Sequence, residues 1–244
     1  MIKKKLIKAG GFLTELLYPS CCPVCGDILG QDLLVCLKCR EKVPLIRGSR
    51  CKICGKPVPE GEPLCGDCLR VPHEFDVSAA LCLYNDVMRK SLSELKYKGR
   101  RDIGKSWGQL LAAAYEPLIR RWHIDVIVPV PIHKSRMKKR GYNQAAVIAE
   151  ECGRKWHLPV NDRAVIRQGR TRAMKELDRN ERMKNLLSAF GEGEVSVRGQ
   201  RVLLIDDIYT TGSTLDAVSH ILKKEGACFV GGLVICIGNS IVLE

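Results

Sequence analysis

Eight of the chain's 13 cysteines stand in four Cys-x-x-Cys pairs: Cys22 with Cys25, Cys36 with Cys39, Cys51 with Cys54, and Cys65 with Cys68. The second two pairs repeat the first two at a constant offset of 29 residues, and Gly26 and Gly55 each follow the second cysteine of their pair. This is an internal duplication. Thiolates two residues apart grip one metal from a single turn, and two such pairs complete a tetrahedron. A glycine after the pair suits a tight knuckle whose backbone amides turn toward sulfur. The repeat predicts two successive zinc ribbons, with Cys22, Cys25, Cys36 and Cys39 on the first ion and Cys51, Cys54, Cys65 and Cys68 on the second. An interleaved arrangement stays open, although each half of the repeat is self-sufficient. Disulfides and iron–sulfur ligation are the competing uses of such cysteines. Four sulfur ligands leave no position for water, so the expected zinc is structural, in a stretch too short to bury a core unaided.

Cys21 falls outside the repeat, and Cys82, Cys152, Cys228 and Cys236 sit singly in apolar surroundings, as core residues do. Residues 1–19 begin basic and turn apolar like a signal peptide. Lys8 and Glu15 interrupt the apolar part, and the following Ser20-Cys21-Cys22 does not resemble a cleavage site. The expectation is a short amphipathic helix whose Leu6, Leu13, Leu16 and Leu17 face the protein, in a cytoplasmic chain with no membrane span. The formal net charge is +13. Two four-thiolate zinc sites, each about −2 in total, lower it to roughly +9. That suits a polyanionic partner, either nucleic acid or a phosphate-rich small molecule, and charge alone does not choose between them.

After about Val71 the cysteine pattern stops, which divides the chain into residues 1–71 and 72–244. The chain as a whole is 45% apolar, enough for a packed core. Strand signals over Ser78–Tyr84, Asp125–Val130, Ala164–Ile166, Arg201–Ile205 and Phe229–Ile237 alternate with helical stretches. The helices are read over Asp86–Tyr97, Gly104–Trp122, Asn143–Trp156 and Gly212–Glu225, with Asn85 as a cap for the first. Such alternation predicts an α/β fold, a mostly parallel sheet covered on both faces. Ligands of such sheets bind beyond the carboxyl ends of strands.

Beyond the strand Val202–Ile205 come Asp206, Asp207, Ile208, Tyr209, Thr210, Thr211, Gly212, Ser213 and Thr214, and then a helix. Two carboxylates at a strand end can accept hydrogen bonds from a pair of ribose hydroxyls or hold Mg2+ through water. The Thr-Thr-Gly-Ser-Thr turn offers amides, hydroxyls and the positive end of a helix to a phosphate. It is not a P-loop, since no lysine follows the glycine. This stretch resembles the phosphoribosyl pyrophosphate (PRPP) signature of the type I phosphoribosyltransferases. That resemblance implies their fold here, with PRPP held on Asp206, Asp207 and Thr210–Thr214.

Two basic segments follow other strands. Residues 131–144, including Arg136, Arg140, Gly141, Tyr142 and Asn143, occupy the place where phosphoribosyltransferases contact pyrophosphate, and the two arginines can each chelate phosphate oxygens. Lys96 and Lys98 are further basic candidates. Residues 167–185, with Arg170, Thr171, Arg179 and Arg182, form a long charged insertion of the kind used as a lid over a reactive sugar centre. Together with Pro19–Gly26, the run Val128–Gln144 and the Thr171, Leu177, Arg179, Arg182, Asn185 spacing ending in Ala189-Phe190, these motifs resemble the ComF (ComFC) family of competence-associated proteins. Met174 departs from the glutamine usual in that family.

The resemblance implies a zinc module fused to a PRPP-binding domain. It also implies a role in handling incoming single-stranded DNA, with proteins of the competence machinery as partners. Two functions remain open. One is transfer of phosphoribosyl from Mg2+-PRPP to an acceptor through an oxocarbenium-like state, with Arg136 and Arg140 neutralising the departing pyrophosphate. The other is a nucleic-acid-binding or regulatory protein that keeps PRPP as a ligand, with Tyr142 or Trp156 as a stacking face.

Overall fold

A computed structural model describes residues 21–30, 33–169 and 187–238. Two short helices, α1 (Leu37–Arg40) and α2 (Gly66–Arg70), lie in the cysteine-rich part. There follow β1 (Val77–Leu83), α3 (Asp86–Tyr97), α4 (Arg101–Trp122), β2 (Val126–Pro129), α5 (Lys134–Arg140) and α6 (Gln144–Trp156). The chain then forms β3 (Val165–Arg167), β4 (Phe190–Glu192), β5 (Arg201–Tyr209), α7 (Ser213–Lys224) and β6 (Phe229–Ile237).

Four strands form a parallel sheet in the order β1-β6-β5-β2. Its central strands are buried on both faces, which is why β6 reads as the unbroken apolar run Phe-Val-Gly-Gly-Leu-Val-Ile-Cys-Ile. One face is covered by α3, α4 and α6, packed around the buried Trp107, Leu111 and Ile148. The other is covered by α7, by the antiparallel hairpin β3–β4, and by the four cysteines of the second ribbon. Local chemistry sets the helix starts. The Asn85 carboxamide accepts the Met88 amide at 3.0 Å, and Asn143 caps α6 while its Nδ2 donates to the Val130 carbonyl at 3.0 Å.

The cysteine-rich part wraps the β1 edge of this sheet. Between the ribbons, residues 44–46 pair with the outer side of β1, through Leu83 N to the Pro44 carbonyl (2.9 Å) and Ile46 N to the Leu81 carbonyl (3.1 Å). An edge strand that would otherwise offer unpaired amides is thereby closed. The first ribbon packs on the α3–α4 face. Ser91 of α3 donates to the Pro23 carbonyl and accepts the Trp107 indole N–H at 2.9 Å, and Ser106 of α4 donates to the Cys21 carbonyl at 2.8 Å. No helix among the described residues is long and apolar enough to cross a membrane.

Several boundaries differ from the sequence reading. The strand expected over Arg201–Ile205 continues through the two aspartates to Tyr209. Residues 134–140, expected as loop, form α5, capped by His133. The expected strand near Ala164 pairs with an unforeseen partner, β4. The expected N-terminal helix and the lid candidates Arg170, Thr171, Arg179 and Arg182, with Met174, lie outside the described residues.

Candidate functional site

The eight paired cysteines gather into two clusters in sequence order: Cys22, Cys25, Cys36, Cys39, and Cys51, Cys54, Cys65, Cys68, with all ligand atoms of a cluster within 4.8 Å of one another. The Cys25–Cys36 sulfurs are 3.7 Å apart and the Cys54–Cys65 sulfurs 3.5 Å. These separations approach the ~3.8 Å edge of a tetrahedron built on ~2.3 Å zinc–sulfur bonds and far exceed the ~2.05 Å of a disulfide. Both clusters fit structural zinc. Burial raises the Cys22 thiol, but the amides of Cys36, Cys25 and Val24 outweigh it and bring it down to about 7. The amides of Cys54, Cys65 and Ile53 do the same for Cys51, also to about 7. In each cluster the amides thus favour the thiolate of one cysteine, while burial raises the thiols of Cys25, Cys54 and Cys68.

At the carboxyl end of β5, strand alternation sends the two aspartates to opposite faces. Asp207 is 4% exposed and meets the Lys96 ammonium of α3 at 2.6 Å. Asp206 is partly open to solvent, and its Oδ1 accepts the Asp207 amide at 2.8 Å. Its carboxyl is nevertheless crowded by surrounding atoms. Burial, and then the Asp207 charge, push it well above the usual carboxylate range, against the pull of Lys96.

Thr210–Gly212 then turn the chain into α7. Gly212 has φ 83° and forms the N-cap without a side-chain acceptor, so the first amides of a 12-residue helix face the turn. The Thr211 and Ser213 hydroxyls are 2.8 Å apart. A Cβ on Gly212 would lie 2.6 Å from the Tyr209 hydroxyl and 3.0 Å from His73 Cε1, so no other residue fits this turn. Thr210–Thr214 is therefore a close-backed cradle of amides and hydroxyls beside a carboxylate pair.

The basic groups divide. Arg136 is exposed on α5. Arg140 lies over the Tyr97 ring at 5.6 Å and bonds Gln144. Gly141 is the left-handed C-cap of α5, and its carbonyl accepts Arg101 at 2.8 Å. Tyr142 is buried, donates its hydroxyl to the Leu95 carbonyl and carries Arg101 over its ring at 4.7 Å, so it offers no stacking face. Trp156 is partly buried and donates to the Ala112 carbonyl. Lys98 pairs with Glu94 at 3.0 Å.

Residues 13–69 match the double zinc ribbon domain and residues 140–241 the phosphoribosyl transferase domain. The chain is 29% identical to the competence protein ComFC of Bacillus subtilis, over 90% of this chain and 93% of that protein. Over most of its length, and in both matched domains, it is similar to the ComF (ComFC) proteins. A second relative, the DNA utilization protein YhgH of Escherichia coli, is 29% identical over 76% of this chain and 83% of its own length. Among solved structures, a purine phosphoribosyltransferase from Pyrococcus horikoshii shares 16% identity at a TM-score of 0.36, over 54% of this chain and 73% of that one. That likeness is too loose to carry an argument.

Two residues at the site, His73 and Tyr97, escaped the sequence reading, and a third, Arg167, was read only as the start of the charged insertion. Arg167, at the end of β3, is near enough to Arg136 and Asp206 to feel both charges; burial, then Arg136, lower its pKa. His73 sits behind the turn at Gly212, with its Nδ1 3.0 Å from Asp216 of α7. Tyr97 is 71% exposed beside Arg140 and is the open aromatic of this rim. Lys96 was read as a pyrophosphate group and is instead committed to Asp207. Only Tyr97 carried a signal: an aromatic residue flanked by Lys96, Lys98, Arg100 and Arg101.

Proposed function

We propose that the chain binds Mg2+-PRPP at the end of β5 and transfers its phosphoribosyl group to an acceptor. The observation that carries this reading is the contiguity of the carboxylate pair with the glycine-backed turn at the start of α7, inside a matched phosphoribosyl transferase domain. The 5-phosphate takes the amides and hydroxyls of Thr210–Thr214. Asp206, the open carboxylate, accepts the ribose hydroxyls, while Asp207 is held behind it by Lys96. Arg136 and Arg140 receive the pyrophosphate, and Arg140 leaves Tyr97 to do so. Mg2+, when bound, neutralises charge on the pyrophosphate oxygens. As the bond from the anomeric carbon to pyrophosphate lengthens, positive charge grows on the ribose ring, which Asp206 stabilises. The acceptor supplies the nucleophile. The charged segment 167–185 is proposed as the lid, and the cytoplasm as the compartment.

The two aspartates should respond differently to substitution. Asp206→Asn removes a crowded carboxylate whose ionisation opposes folding. The native state holds this proton more tightly than the unfolded chain, so the variant's gain builds as pH rises from the ordinary carboxylate range and is complete once pH passes the raised Asp206 value. The gain vanishes below the ordinary carboxylate range. It should raise Tm by a few degrees at pH 8, ~1 kcal/mol, while weakening PRPP binding about tenfold or more. Asp207→Asn leaves Lys96 without its partner and should lower stability by about 2 kcal/mol. Thermal melts at two pH values and calorimetric PRPP titrations check this. Unchanged PRPP affinity in Asp206→Asn would mean that the ribose lies elsewhere.

A second reading, single-stranded nucleic acid on the same rim, is favoured by the exposed Tyr97 amid basic side chains. The names of the two relatives agree with it, and competence-machinery proteins are then natural partners. Binding should weaken steeply with salt and depend little on base sequence. Tyr97→Ala should cost about 1–3 kcal/mol if a base stacks there. Arg136→Ala with Arg140→Ala should weaken DNA and PRPP alike. Fluorescence anisotropy with a labelled oligonucleotide at two salt concentrations measures both, and salt-insensitive binding would remove this reading.

A further inference from the structure

The second cysteine cluster does not stand apart as a separate module. All four of its cysteines are buried in the same core as Phe75, Tyr209, Leu215 and Val218. Its knuckle is bonded to β1, with Ser78 N donating to the Ile53 carbonyl at 2.6 Å and Ser78 Oγ to the Cys54 carbonyl at 3.0 Å. The fit is close at Gly55, where a Cβ would lie 2.9 Å from the Ser78 carbonyl oxygen. The first cluster differs, since Cys25 is exposed and its contacts run to α3 and α4 on the opposite face.

From the second cluster two routes lead to the turn at Gly212. One is Tyr209, which is 3% exposed and buried in the same hydrophobic cluster as Cys51, Cys54, Cys65 and Cys68. Its hydroxyl is the atom a Gly212 Cβ would strike at 2.6 Å. The other route is the strap that leaves α2, whose end lies two residues past the ligand Cys68. Within this strap His73 Nδ1 and the Glu74 amide both hold the Asp216 carboxylate, at 3.0 and 2.9 Å. Asp216 lies in the first turn of α7, the helix whose amides form the phosphate-type turn. His73 stacks on Phe75 at 4.5 Å, and Phe75 meets Tyr209 edge-on at 6.2 Å, so the two routes brace each other. The His73 Nε2 is buried without a hydrogen-bond partner, beside Gly212.

We propose that the second zinc site is the floor of the phosphate turn. Metal on Cys51, Cys54, Cys65 and Cys68 fixes Tyr209 and His73, and these two positioning residues hold Gly212 and the start of α7 in the shape that takes a phosphate. PRPP affinity then depends on metal in the second site far more than in the first. This rests on the reading of Thr210–Thr214 as the 5-phosphate site.

The test compares full-length zinc-loaded wild type with Cys36→Ser, which damages the first site, and Cys68→Ser, which damages the second. Zinc per chain is counted by native mass spectrometry. Amide hydrogen exchange over residues 208–216 is followed without PRPP, and Mg2+-PRPP is titrated by calorimetry. Cys68→Ser should speed exchange in the turn and weaken PRPP about tenfold or more, and Cys36→Ser should change affinity by no more than about twofold. If Cys68→Ser does not fold, His73→Ala and Tyr209→Phe carry the test, because they leave every zinc ligand in place. Each should retain its zinc, speed exchange at Thr210–Thr214 and weaken PRPP several-fold, and His73→Gln, which can still reach Asp216, should restore much of the loss. Unchanged exchange in both of those variants, or equal effects from the two zinc sites, would overturn the proposal. Faster exchange as expected, in a protein whose wild type does not bind PRPP, would leave the brace standing and remove the PRPP assignment instead.

Discussion

Gly212→Ala is expected to remove PRPP binding from a chain that still folds. At φ 83° any side chain is strained, by roughly 1–2 kcal/mol. The new Cβ would also lie 2.6 Å from the Tyr209 hydroxyl and 2.9 Å from its Cζ. Neither can retreat easily, because Tyr209 is buried against the second cysteine cluster. The turn must therefore move, and with it the amides of Ser213 and Thr214. Affinity for Mg2+-PRPP should fall about a hundredfold or more, with a stability loss of about 1–3 kcal/mol. Calorimetry and denaturant unfolding of the same preparation separate the two effects. Wild-type affinity in this variant would mean that the turn does not hold the phosphate.

Removing both metal ions should cost more than the fold can spare. Structural zinc contributes on the order of 10 kcal/mol of folding free energy, against a total of about 5–15 kcal/mol for a typical domain. Purified under reducing conditions, the protein should carry two zinc ions, one for each cluster. A strong chelator should abolish the cooperative thermal transition. Loss should begin at the first cluster, where Cys25 is exposed, and the collapse of the sheet should follow metal loss from the second, whose four cysteines are all buried. Elemental mass spectrometry and melting curves during chelation measure this. A folded protein with near-zero zinc and bridged cysteines would contradict it.

The elements most legible in the sequence were those whose signal is local. The helix Asp86–Tyr97 and the strand Phe229–Ile237 occur over the residues expected. The first has a capping asparagine and an amphipathic face, and the second is an uninterrupted apolar run. Cysteine spacing gave both metal clusters for the same reason, since four ligands at fixed separations leave few arrangements. α5 was missed because Lys-Ser-Arg-Met-Lys-Lys-Arg has helix formers and no apolar stripe, and none of its residues is buried. β5 was read too short because polar aspartates at a strand end look like a loop until a partner such as Lys96 is seen. The contact between His73 and Asp216 spans 143 residues and left no local trace. The sequence points to the strand-ending motif as the proposed site, while the supports of that motif are long-range and appear only once the chain is folded.

The most direct test of the account is a calorimetric titration of the zinc-loaded, full-length chain with PRPP, with and without Mg2+. The account predicts saturable binding of about one PRPP per chain, strong with Mg2+, greatly weakened without it, and accompanied by slowed amide exchange at Thr210–Thr214. Absence of binding at millimolar PRPP with Mg2+ and both zinc ions in place, or binding that leaves those amides unprotected, would contradict it.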